Sequence, residues 1–174
     1  MVRTLHVVRR SAIKARTQAA NQLRALLLSA PEELRAQLRG LSTAKLLATA
    51  ACFRPGNPKD LPVVTKLAMR TVARPHRWLS EEIVELDEQI ARLVSEAVPA
   101  LVALRGVGTD TAASVLVALG DNPERLKKSE ASFARLCGVA PVPASSGKAV
   151  RHRLNRGGNT DANRALHVLW RSDG

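Results

Sequence analysis

The chain has 174 residues, 45% of them apolar, which is enough for one domain or a small domain with a helical extension. Only 2% are aromatic, with no tyrosine, so the core has to come from Leu, Val and Ala, which favours helices and disfavours single-strand binding on rows of stacked rings. Lys and Arg number 27 against 15 Asp and Glu, a net charge of +12, which makes a polyanion the expected partner.

The basic residues are spread along the chain and do not form one face of a single amphipathic helix, so nucleic acid is expected over a membrane surface. No apolar run reaches the ~18 residues of a membrane span, and the start, MVRTLHVVRRSAIKAR, has no continuous apolar region of a secretory signal. Cys52 and Cys137 stand far apart without CxxC companions. Both are expected to be buried, reduced thiols in a cytoplasmic protein.

In chain order, residues 3–29 read as one helix, with Leu5, Val8, Ile13, Ala20, Leu23, Leu26 and Leu27 near helical spacing and no Gly or Pro between them. Arg3, Arg10, Lys14 and Arg16 lie mostly off that stripe, as a solvated face or as contacts to a nucleic-acid backbone. Pro31-Glu32-Glu33 starts a short helix that ends at Gly40. Ser42 or Thr43 caps a third, residues 44–53. RPGNPKDLP, residues 54–62, is a loop. A long helical segment, residues 61–97, follows, with a kink or break expected at Pro75. Its Leu79, Ile83, Leu86, Ile90, Leu93 and Ala97 form an a/d stripe, fit for a coiled coil or an intramolecular helix pair. Glu81, Glu82, Glu85, Asp87 and Glu88 read as the wet face of that helix and not as a metal site, because no partner stands at ligand spacing.

Residues 98–104 form a short helix. Leu104-Arg105-Gly106-Val107-Gly108 then leads into an apolar helix from Thr109 to Leu119. This is the pattern of a helix-hairpin-helix, whose glycines allow a tight turn and whose amides can hold a phosphate without reading sequence. An ordinary αα turn with Thr109 as cap fits equally well. Gly120 stops the helix, and residues 127–136 form another. Residues 160–170 close the chain as a helix that buries Ala162, Leu166, Leu169 and Trp170.

Between those last helices lies PVPASSGKAVRHRLNRGGN. Ser145 and Ser146 sit in a small-residue turn, followed by Lys148, Arg151, His152, Arg153 and Arg156, with a short β-hairpin expected over residues 144–154. A hydroxyl nucleophile in a cationic loop suits a phosphodiester, whose charge must be neutralised for attack.

LRGVGTDTAASVLVALGD and FARLCGVAPVPASSGKAVRHRLNRGGNTDANRALH resemble the C-terminal domain of the DEDD-type insertion-sequence transposases, RNA-guided recombinases that carry a serine there. ARTQAANQLRALLLSAPEELRAQLRGLSTAKL is similar to the helical middle of the same family. The resemblance implies an all-α protein in the main: a helical, coiled-coil region over residues 1–97, then a transposase domain over 98–174 with a helix-hairpin-helix. It implies a nucleophile at Ser145 or Ser146 that forms a covalent DNA intermediate, with Lys148, Arg151, Arg153 and Arg156 neutralising phosphates and Gly106 and Gly108 shaping the backbone hairpin. DNA, a guide RNA and further copies of the chain, joined through residues 78–97, are the implied partners, in the cytoplasm and at the nucleoid.

The family's N-terminal RNase H-like domain, with four acidic residues binding a divalent metal, would precede Arg3. The first acidic residue here is Glu32. The chain is therefore expected to be a partial transposase, inactive alone and without a cofactor of its own, Mg²⁺ belonging to the missing domain. The alternative expectation is an inert DNA-binding remnant or regulator that associates with full-length transposase.

Overall fold

The structure, a computed structural model, describes residues 1–120, 129–145 and 150–172. It is mostly helical, as expected. The elements are α1 (Val2–Leu28), α2 (Glu32–Leu38), α3 (Thr43–Ala51), α4 (Leu61–Ala97), α5 (Pro99–Val102), α6 (Thr109–Leu119), α7 (Glu130–Leu136), β1 (Val142–Pro143), β2 (His152–Arg153) and α8 (Thr160–Ser172). They gather into two compact units, one of Val7–Leu86 and one of Met1–His6 with Asp87–Gly174.

The Val7–Leu86 unit is built on leucine. Leu23 of α1, Leu34 and Leu38 of α2, Leu46 and Leu47 of α3 and Met69 of α4 form one buried cluster with Ala30, Ala50 and Ala73. Each buried side chain of leucine size contributes about 2 kcal/mol. The short helices are started by local signals. Glu32 and Glu33 occupy the first turn of α2 after Pro31, and the Ser42 hydroxyl accepts from the Lys45 N–H at the head of α3.

Helix α4 runs unbroken through Pro75. A proline inside a helix removes one backbone hydrogen bond, but here it lies on the exposed side, while Met69, Ala73, Ile83 and Leu86 are buried on the packed side. Burial on both flanks holds the helix across it.

In the second unit Ile90 and Val94 of α4 pack with Val107, Ala112 and Ala113, and Val2, Leu5 and Leu101 cover them. Helix α6 packs along α8. Among the described side chains of these two helices the buried ones are Ala112, Ala113, Val115, Ala162 and Ala165, small enough to let the backbones approach closely.

Several expected core positions move by one residue. Val94 is fully buried where Leu93 was expected, and Ala97 is exposed. A straight helix drifts off a strict seven-residue repeat, so the fourth contact falls one residue later. On α8 Ala165 is buried at 3% exposure and Leu166 only half-buried, because the close α6 contact selects the smaller side chain. The side chains of Leu169 and Trp170 lie outside the described residues. Val8 is 47% exposed, since it stands ahead of the point where the packed face of its unit begins at Ala12. Cys52 is exposed, against expectation, while Cys137 is buried. Cys52 follows Ala50 by two residues at the end of α3 and so points away from the face that carries Leu46, Leu47 and Ala50.

Candidate nucleic-acid interface

The serine loop is a two-stranded antiparallel hairpin, with Val142 opposite Arg153 and Pro143 opposite His152. The expected hairpin is present, but its first strand lies two residues ahead of the expected range, which begins at Ala144. Beyond the strands the Ala144 N–H donates to the Arg151 carbonyl at 2.8 Å, and the Arg151 N–H donates to the Ser145 hydroxyl at 3.2 Å. Ser145 is thus held across the hairpin from the first of its arginines. Ser145, Arg151, Arg153 and Arg156 are all exposed, and among the described residues no carboxylate pairs with any of the three guanidiniums. Ser146 and Lys148 lie outside the described residues.

The hairpin is anchored at its base by a polar clasp between the end of α7 and the start of α8. Helix α7 stops at Cys137, and Gly138 follows with φ +70°, the left-handed turn that ends many helices. That turn exposes three carbonyls in a row, and asparagines of the following segment take all three. The Asn155 amide donates to the Arg135 carbonyl at 3.3 Å, the Asn159 backbone N–H to Leu136 at 2.7 Å, and the Asn163 amide to Cys137 at 2.9 Å. The Asn155 side-chain oxygen also accepts from the Gly157 N–H at 3.0 Å. The Asn159 side chain caps α8 by accepting from the Asp161 and Ala162 N–H groups.

At the centre of the clasp two backbones touch. A Cβ on Gly158 would stand 2.3 Å from the Gly138 Cα and 2.4 Å from its nitrogen, so no side chain fits there. Burial pushes the Cys137 thiol above its usual pKa. A cavity of about 210 Å³ opens beside the clasp, lined by Cys137, Leu154, Asn155, Arg156, Thr160 and Asn163 among others.

The second expected backbone contact is the turn into α6. Gly106 has φ +78°, Val107 is 6% exposed, and Gly108 is extended and precedes α6 with no side-chain cap. Only Gly106 needs the absence of a side chain, since space around Gly108 is open. Asp110 in the first turn of α6 lies 3.8 Å from the Nε2 of His6, which also meets the Ser114 hydroxyl at 3.4 Å. His6 is 4% exposed. Nothing in the sequence marks His6, because a lone histidine in an apolar stripe looks like any other residue. The clasp asparagines are equally unmarked, although Asn159 is visible as a helix start.

Among the described residues, no group of three or more His, Cys, Asp or Glu is placed to hold a metal ion, and no helix is long and apolar enough to cross a membrane.

Comparison with known proteins places a match on this half of the chain. Residues 99–172 match the family model described as Transposase IS116/IS110/IS902 family. Over 165 residues, 93% of the chain, the sequence is 28% identical to the transposase for insertion sequence element IS1328 of Yersinia enterocolitica. The chain spans 46% of that relative's length. No solved structure matches it significantly.

Proposed function

We propose that this chain acts in DNA transposition, holding the sugar–phosphate backbone against the β1–β2 hairpin, where Ser145 or Ser146 attacks phosphorus. The observation that carries this is the placement of an exposed serine hydroxyl, fixed by the Arg151 N–H, on a hairpin that also exposes Arg151, Arg153 and Arg156. The family match over residues 99–172 supports the setting. Attack by the serine oxygen would form a serine–phosphate ester and release one DNA oxygen as an alcohol. The charge that builds on the non-bridging oxygens is what the guanidiniums are placed to stabilise.

No group of three or more His, Cys, Asp or Glu among the described residues is placed to hold a metal ion. A guide RNA and further copies of the chain belong to the same reading on the family resemblance. The α5–α6 turn is proposed as a second, sequence-independent contact to a phosphate. It is the weaker of the two, because the Asp110 carboxylate stands in the same turn and opposes an anion.

The test is covalent capture. The chain is incubated with a nicked DNA substrate and Mg²⁺, and a protein–DNA adduct is sought on a denaturing gel, with Ser145→Ala and Ser146→Ala beside it. An adduct that disappears in one variant identifies the nucleophile. Salt-sensitive binding with no adduct removes the nucleophile and leaves a DNA-binding or regulatory chain. Duplex affinity independent of salt would remove the phosphate-binding reading altogether.

A further inference from the structure

Leu154 stands in the open beside the hairpin, 76% exposed, between Arg153 and Asn155-Arg156. A single exposed leucine is ordinary, but this one is held out by its neighbours. Arg153 is paired with Val142 across the hairpin, and the Asn155 side chain is tied to the Arg135 carbonyl and the Gly157 N–H. With the backbone pinned on both sides, the leucine projects into solvent from a fixed base.

The cavity of about 210 Å³ opens beside it. Leu154 and Arg156, both exposed, form its rim, and the buried Cys137 lies at its floor. Burial pushes the Cys137 thiol up, so the floor carries no charge. The Asn163 amide nitrogen donates to the Cys137 carbonyl, which leaves the side-chain oxygen of Asn163 as an acceptor on the wall. The Thr160 hydroxyl, also on the wall, can donate and accept.

These walls sort the occupants. A cofactor-sized ligand needs roughly 300 Å³ or more, which the recess does not offer. A phosphate is poorly served inside, because the first amides of α8 are already taken by the Asn159 side chain, whereas the guanidinium of Arg156 waits at the rim. A flat ring with a hydrogen-bonding edge inside and a phosphate outside satisfies both parts. That is a nucleotide still joined to its strand.

We infer that the recess receives a single base turned out of the DNA stack, while Leu154 enters the gap the base leaves and Arg156 holds its phosphate. The inference rests on the proposed DNA contact of the hairpin and adds how the strand is opened there. Leucine is among the side chains that part base steps as wedges, and the gap buries apolar surface that the fold leaves in water. Extrusion also breaks the regular stack next to the phosphodiester, on the hairpin that carries the serine hydroxyl.

The probe is a short duplex with one mispaired 2-aminopurine, a base that fluoresces weakly when stacked and brightly when extruded. Mispairing lowers the cost of extrusion. Binding of the full chain should raise the fluorescence several-fold, and the mispaired duplex should bind about tenfold more tightly than the fully paired one. Leu154→Ala, checked for helix content by circular dichroism, should abolish the rise and the preference but leave the salt dependence unchanged, since no guanidinium is lost. Leu154→Met should keep both, and Thr160→Val should shrink the preference about threefold. Salt-sensitive binding without a rise overturns this inference and leaves the DNA contact of the hairpin standing. No binding at all overturns both. A rise that persists in Leu154→Ala overturns the inference, and so does a loss of affinity in that variant that is equal for the two duplexes, which would place the leucine against a sugar.

Discussion

The Val7–Leu86 core and the clasp beneath the hairpin are held by opposite means. In the first, Leu23, Leu34, Leu46 and Met69 are interchangeable in kind: what matters is an apolar side chain of about the right volume at the right spacing. In the second, almost nothing is interchangeable. Two glycines meet backbone to backbone, the Asn155 and Asn163 side chains serve particular carbonyls of the α7 terminus, and the Asn159 side chain caps α8. The lesson is that a core tolerates drift in sequence while a polar joint between loops does not. The residues proposed to meet DNA stand on the joint.

The largest expected effect tests the core. Leu23→Ala removes a side chain with 0% exposure and should cost about 3 kcal/mol in urea unfolding, with DNA affinity well below the melting point unchanged. Next is Gly158→Ala, whose new methyl meets the Gly138 backbone. It should cost about 2 kcal/mol and, unlike Leu23→Ala, weaken DNA binding, because it displaces Arg153 and Arg156. If both variants affected binding alike, the contrast between core and clasp would fail. Asn159→Ala should cost about 1 kcal/mol through removal of the cap, read as a lower melting temperature with the hairpin loosened.

Replacing Arg151, Arg153 and Arg156 together by Ala should leave stability within about 0.5 kcal/mol. It should reduce the slope of log affinity against log salt by about three, one for each phosphate no longer neutralised. The smallest effect belongs to His76 on α4. Burial first, and the Arg16 charge second, lower its pKa below 6.5. The unfolded chain therefore binds more protons than the folded one as pH falls below about 6.5. Stability is full above that value and declines modestly below it until the folded pKa is passed. His76→Gln should flatten the decline in thermal melts taken between pH 7 and 5.

The two regions also differ in how far they can be read from sequence. The helices were legible, because 3.6-residue spacing, Pro31, Ser42 and Gly120 are local signals that do not depend on the rest of the chain. The exact buried set was less so. Val94 for Leu93, and Ala165 for Leu166, are decided by how closely the neighbouring helix comes, which no single helix records. The hairpin and its arginines were visible as composition. The clasp was not: Asn163 and Cys137 are 26 residues apart, and a side chain reaching a backbone carbonyl at that separation leaves no period. His6 was hidden for the same reason, its partners Asp110 and Ser114 being over a hundred residues away.

The contact between Gly138 and Gly158 also sets a rule of inheritance. A crowded pair of side chains can trade volume, one shrinking as the other grows, and so wander together through sequence space. Here neither position has volume to give, and a change at one cannot be repaired at the other. A cysteine–glycine helix end followed twenty residues later by the second glycine of Asn-Arg-Gly-Gly-Asn is accordingly a fingerprint. A chain with a side chain at the position of Gly158 has to connect the two helices differently, whatever its other residues.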